Sequence, residues 1–108
     1  MARLEAQAKL LYYPTDLGLV DRIATWFSVK GETRLVDPCC GKGDALARFA
    51  DHFEPRPITW GVELSYARVE AAQKNLDVVH ATSFYDMTPP GRWGDKSVSL
   101  AFNNPPYD

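Results

Sequence analysis

The stretch LVDPCCGKGDALARFA, Leu35 to Ala50, decides the fold. Its start belongs to a short β-branched run, TRLVD (Thr33 to Asp37), which reads as a strand. Its middle holds Gly41 and Gly43, which tolerate the positive φ of a tight loop and let a ligand approach the backbone closely. Its end opens a helix near Asp44, because Leu46, Phe49, Ala50 and, just beyond, Phe53 recur at i, i+3, i+4 and i+7. Strand, glycine loop and helix in that order place polar N–H groups where a nucleotide-like ligand can meet them.

The same alternation extends in both directions. Further strands are expected at ITWGVE (Ile58 to Glu63), DVVHA (Asp77 to Ala81) and SVSLAF (Ser97 to Phe102), each short and bounded by turn-forming residues. Helical spacing recurs at Val20, Ile23, Ala24 and Phe27. Another helix is expected from an N-cap at Ser65 through Asn75, with Glu70 and Lys74 as an i, i+4 pair, and one more over Ala2 to Leu11. Strands separated by helices pair in parallel through crossovers, which predicts an α/β, Rossmann-like doubly wound parallel sheet. Between the third and fourth strands, MTPPGRWGDK is too rich in Pro and Gly for a long helix, so that crossover is expected to be irregular.

Bulk properties exclude several classes. With 108 residues, 45% of them apolar, the chain suits one domain or part of one. A net charge of -2 gives no general attraction to phosphate backbones. The two cysteines, Cys39 and Cys40, are adjacent, which rules out an ordinary disulfide framework and leaves a metal site without companion ligands; they suit small side chains packed under the loop, in a reducing cytoplasm. No apolar run approaches the ~20 residues of a membrane helix.

Within the loop, Leu46 stands where a dinucleotide fingerprint requires its third glycine, which argues against NAD. Asp37 precedes the loop, and Glu63 ends the second strand, where in this topology an acid accepts hydrogen bonds from both ribose hydroxyls. A glycine pair after a strand also serves as a plain turn, and a strand-end Glu also stands solvated; their coincidence with Asp37 favours a ligand.

These residues resemble the class I S-adenosylmethionine-dependent methyltransferases, specifically the amino-group branch. The resemblance rests on DPCCGKGD as cofactor loop, GVELS as ribose-binding strand end, and NPPY (Asn104 to Tyr107) after the fourth strand. YYPTD (Tyr12 to Asp16) is similar to the segment ahead of the first helix in N6-adenine DNA methyltransferases, although Pro-Thr there is also a plain capping arrangement. The resemblance implies S-adenosyl-L-methionine as cofactor, held by Tyr13, Thr15, Asp37, Pro38, Gly41, Gly43, Asp44, Glu63, Leu64, Ser83, Phe84 and Asn104. It implies a catalytic and substrate-holding tip of Asn104, Pro105, Pro106 and Tyr107, with no metal and no covalent enzyme intermediate. Thr82 and Ser83 stand where many relatives carry an acid for the cofactor's adenine.

The expected substrate is adenine N6 in DNA. Guanine in RNA, a glutamine amide in a protein, or a non-catalytic cofactor-binding fragment are the alternatives. Family members continue past NPPY with further strands, so the chain is expected to be a partial domain. Its fourth strand would then form an exposed edge open to homodimerisation.

Overall fold

The computed structural model describes residues 14–91 and 98–103. In chain order these form α1 (Leu17–Ala24), β1 (Arg34–Asp37), α2 (Asp44–Ala50), β2 (Ile58–Val62), α3 (Tyr66–Asn75), β3 (Val78–His80), a single 3-10 turn (Phe84–Asp86) and β4 (Leu100–Ala101). The four strands make one sheet in the order β3-β2-β1-β4, and every pairing is parallel. After β1 the chain moves first to one side, through β2 and β3, then returns to the other side for β4. The carboxyl end of β1 is therefore a topological switch point, where an open α/β sheet leaves a crevice for ligands.

Register divides the side chains between two faces. Leu35, Gly61, Val79 and Leu100 share one face, and Leu35 packs there with Val20 and Ala24 of α1, Leu46, Phe49 and Ala50 of α2, and Ala72 and Leu76 of α3. Phe49 is the hub of this core, meeting Phe27, Phe53 and Phe102 with ring centroids 5.7, 5.1 and 5.8 Å away. On the other face Val36, Trp60 and Val62 form a second core with Val78 and Met87. The Trp60 indole N–H donates to His80 Nδ1 at 3.2 Å, so the ring is buried without stranding its polar atom.

Polar ties fix the ends of these elements. Wholly buried Thr59 donates its backbone N–H (2.8 Å) and its hydroxyl (3.0 Å) to Asp77 Oδ2, and its hydroxyl oxygen accepts from the Asp77 N–H at 2.9 Å. This locks β2 to the start of β3. Asp21 on α1 takes a two-pronged contact from Arg48 of α2, at 2.8 and 2.7 Å, and lies 2.7 Å from His52 Nε2. Those two partners hold the Asp21 carboxyl well below the usual carboxylate range.

Several expected boundaries shift. α1 stops at Ala24, so Phe27 lies beyond the helix although its ring still reaches Phe49. Its N-cap is Asp16, whose carboxylate accepts from the Gly18 N–H at 2.9 Å, and not Thr15. Glu70 and Lys74 lie on the exposed face of α3 without forming an ion pair with each other. β4 is shorter than the apolar run suggested, although hydrogen bonds from Ser99 N to Arg34 O and from Phe102 N to Val36 O extend its pairing by a residue at each end. The expected helix over Ala2 to Leu11 lies outside the described residues. Among the described residues no helix is long and apolar enough to cross a membrane.

Candidate functional site

Because all four strands are parallel, the segments that follow them leave from one edge of the sheet. These are the loop Pro38 to Gly43, the pair Glu63 and Leu64, Ser83 with Phe84, and Phe102 with Asn103.

The loop is built by its glycines and by its neighbours. Gly41 and Gly43 have φ of 58° and 82°, in the left-handed region that side chains disfavour. The Gly43 N–H donates back to Cys40 O at 2.9 Å and closes the turn, while the Cys40 N–H donates to Val62 O at 2.9 Å and pins the loop to β2. That close approach depends on Gly61. A Cβ there would sit 2.6 Å from both Cys40 Sγ and Leu76 Cδ1. From the other side, the Asn75 amide at the end of α3 donates to Lys42 O (2.9 Å) and to Asp44 Oδ1 (3.0 Å).

Two buried carboxylates organise the centre. Asp37, 3% exposed, accepts the Cys39 N–H at 3.0 Å. Glu63, 6% exposed, accepts the Gly41 N–H on Oε1 at 3.0 Å; its Oε2 takes the Ser65 N–H at 2.7 Å and Arg68 Nε and Nη2 at 3.3 and 3.2 Å. The sequence suggested a row of N–H groups turned toward a ligand. Instead, the N–H groups of Cys39, Cys40, Gly41 and Gly43 all turn inward, onto Asp37, Val62, Glu63 and Cys40 itself. The loop is thus a preorganised wall whose shape is set by Glu63.

Burial pushes the Asp37 carboxyl up to about 7, partly offset by the Cys39 N–H and reinforced by the negative charge of Glu63. Burial, with the charges of Asp37 and Glu63, also raises the Cys39 and Cys40 thiols, so neither is a thiolate nucleophile; Cys40 packs in the core. An aspartate whose folded-state value lies above its unfolded one binds protons more readily in the native state. Its contribution therefore declines as pH rises from about 4 through about 7. The urea midpoint should fall over that window, and Asp37→Asn should flatten the fall; parallel pH profiles for the two proteins would contradict the assignment.

Leu64 and Phe84, expected to hold the cofactor, are exposed, Leu64 just after β2 and Phe84 in the 3-10 turn that follows β3. The Ser83 hydroxyl oxygen accepts the Tyr85 N–H at 3.2 Å and starts the 3-10 turn, where the Phe84 and Tyr85 rings lie 4.2 Å apart. Thr15 lies elsewhere on this edge, lining with Leu19, Phe27, Phe49, Phe102 and Asn103 a cavity of about 350 Å3 between α1 and β4. Pro38 and Asp44 stand in the loop and at the first position of α2. Tyr13, Asn104, Pro105, Pro106 and Tyr107 lie outside the described residues. Arg68 and Asn75 escaped the sequence reading. Both come from α3: Asn75 meets residues more than thirty positions away, and Arg68 meets an acid five positions upstream, before its helix begins, so neither contact follows a helical period. Among the described residues no group of His, Cys, Asp and Glu side chains is arranged to hold a metal ion.

Comparison with known proteins places this geometry. No curated protein matches the sequence. Among solved structures, the chain is similar to a geranyl diphosphate methyltransferase in complex with GPP and sinefungin, with a TM-score of 0.60 at 21% identity over 80% of this chain. It is also similar to a cyclopropane synthase from Mycobacterium tuberculosis, with a TM-score of 0.55 at 18% identity over 68% of this chain. It spans only 33% and 28% of those two proteins, and at such identities the likeness shows the shared Rossmann-like methyltransferase fold. A family model matches over residues 1–108, and by that match the chain belongs to an uncharacterised methyltransferase family, DUF6094.

Proposed function

We propose that this chain forms the donor-binding part of an S-adenosyl-L-methionine-dependent methyltransferase acting on an exocyclic amino nitrogen, with adenine N6 in DNA as acceptor. The observation that carries the reading is the Gly41–Glu63 hydrogen bond, which joins a glycine loop to a buried strand-end acid beside the switch point, in a chain of a methyltransferase family.

The residues present fit that donor. Oε1 of Glu63 accepts a single described hydrogen bond, so it keeps a lone pair for a ribose hydroxyl. Exposed Leu64 and Phe84 offer apolar surface for a flat base. The donor, when bound, supplies an electrophilic methyl group on a sulfonium sulfur. The chain's own contribution is placement: Asp37, Gly41, Gly43 and Glu63 hold one reactant, and Thr15 lies near the start of α1 as a contact for its amino-acid end.

The acceptor side of the reading rests on the sequence Asn104 to Tyr107, which follows β4 in the chain. The Asn104 side-chain oxygen and the Pro105 carbonyl accept the two N–H groups of the amine. They draw its lone pair out of conjugation and stabilise the positive charge that grows on nitrogen. Pro105 and Pro106 have φ fixed by their rings, which stiffens the segment that presents these acceptors. The Tyr107 ring stacks on a base flipped out of its helix.

The deciding experiment incubates the protein with methyl-labelled S-adenosylmethionine and, separately, duplex DNA, structured RNA and a glutamine-bearing protein. Label is expected in adenine N6 of the DNA. Label only in RNA guanine or in glutamine would replace the acceptor while keeping the donor. Absence of donor binding by equilibrium dialysis would remove the reading.

A further inference from the structure

Glu63 has to serve two sets of partners. A carboxylate oxygen has two lone pairs, about four for the whole group. On Oε2, three donors crowd those two positions: the Ser65 N–H at 2.7 Å, and Arg68 Nη2 and Nε at 3.2 and 3.3 Å. On Oε1 the Gly41 N–H takes one position at 3.0 Å. A ribose presents two neighbouring hydroxyls, and Oε1 alone has room for only one of them.

The donors differ in how readily they can leave. Ser65 is the N-cap of α3 and Gly41 sits in a loop pinned by Cys40 and Gly43, so both are backbone groups fixed by their elements. Arg68 reaches Glu63 through a flexible side chain and makes the longest of the contacts. It also carries its positive charge in the first turn of α3, which has no acidic residue, where the helix dipole opposes a cation. Glu63 places a carboxylate against that charge. With 14% of the Arg68 side chain and 7% of the Glu63 side chain exposed, the guanidinium also helps shield the carboxylate from water.

We propose that Arg68 occupies, in the free protein, the position on Glu63 Oε2 that a ribose hydroxyl takes in the complex, so that binding a nucleoside exchanges this ion pair for the ribose diol. Arg68 is then a positioning residue that keeps Glu63 turned toward Gly41 and sets how tightly a ribose is held. The inference rests on the donor-site reading above. It adds that part of the donor's binding energy is spent in releasing Arg68.

Calorimetric titration of the 108-residue protein with S-adenosylhomocysteine tests it, using wild type, Arg68→Met, which keeps much of the apolar stem, and Arg68→Lys. Arg68→Met is expected to lower Kd at least fivefold, with Arg68→Lys between it and wild type. A second readout needs no variant to fold: in the 15N spectrum of wild type, the Arg68 Nε–H signal is expected to move and lose protection from exchange as S-adenosylhomocysteine is added. Binding with an unchanged or higher Kd in Arg68→Met, or an Arg68 signal unaffected at saturation, overturns the exchange while leaving the donor site standing. No binding by wild type overturns both.

Discussion

Glu63→Ala is expected to cost the fold on the order of 3 kcal/mol, the low end of what breaking a buried ion pair from one side entails. The substitution strips partners from the Gly41 and Ser65 N–H groups and takes a carboxylate away from the Arg68 guanidinium. Each of the two backbone N–H groups left without an acceptor carries its own desolvation penalty. The damage reaches beyond stability, because Gly41 in its left-handed conformation is held to β2 by this carboxylate as well as by the adjacent Cys40. Donor affinity should fall with it, through lost ribose contacts and a loosened loop. Glu63→Gln, which keeps an acceptor oxygen, should be milder. A urea midpoint within experimental error of wild type for Glu63→Ala would show that the loop is held by other means.

The second large effect is expected at the other reactant. Asn104→Ala should reduce methyl transfer by about 10²- to 10³-fold, the usual consequence of removing one preorganised hydrogen-bonding group that acts on the transition state. The Kd for S-adenosylmethionine should change far less, within about twofold, because Asn104, which the resemblance also counts among the cofactor contacts, acts in this reading chiefly on the acceptor and the transition state. Single-turnover transfer alongside calorimetric titration separates the two quantities. Matching losses in both would take Asn104 away from the acceptor and assign it to the donor or to the fold.

Much of this architecture is legible in the sequence, for reasons that also explain what is not. β1 and β2 are strands buried in the middle of a parallel sheet, and such strands show as compact β-branched and apolar runs. The glycine loop is legible because Gly41 and Gly43 answer a backbone requirement that few other residues meet. Glu63 stands out as an acid directly after an apolar strand. What the sequence conceals is the direction in which the loop's N–H groups turn, because Val62 and Glu63 capture two of them from the neighbouring strand while Asp37 takes the Cys39 N–H from two residues upstream. Asn75 reaches the loop from the far end of α3, and Arg68 meets an acid outside its own helix, so neither belongs to a helical period. The i, i+4 rule proposed a Glu70–Lys74 pair that exposed side chains gain little by forming. At α1, Asp16 captures the cap because its carboxylate meets the Gly18 N–H, a choice between adjacent capping residues that spacing alone leaves open.

The missing side chain at Gly61 makes the turn after β1 a composite object, its contour moulded by the adjoining strand as much as by its own letters. Transplanting Pro38 to Gly43 into another sheet would carry the text without the mould. Any such graft has to import a vacancy at the matching register of the next strand, and a search for related turns gains from reading both strands together.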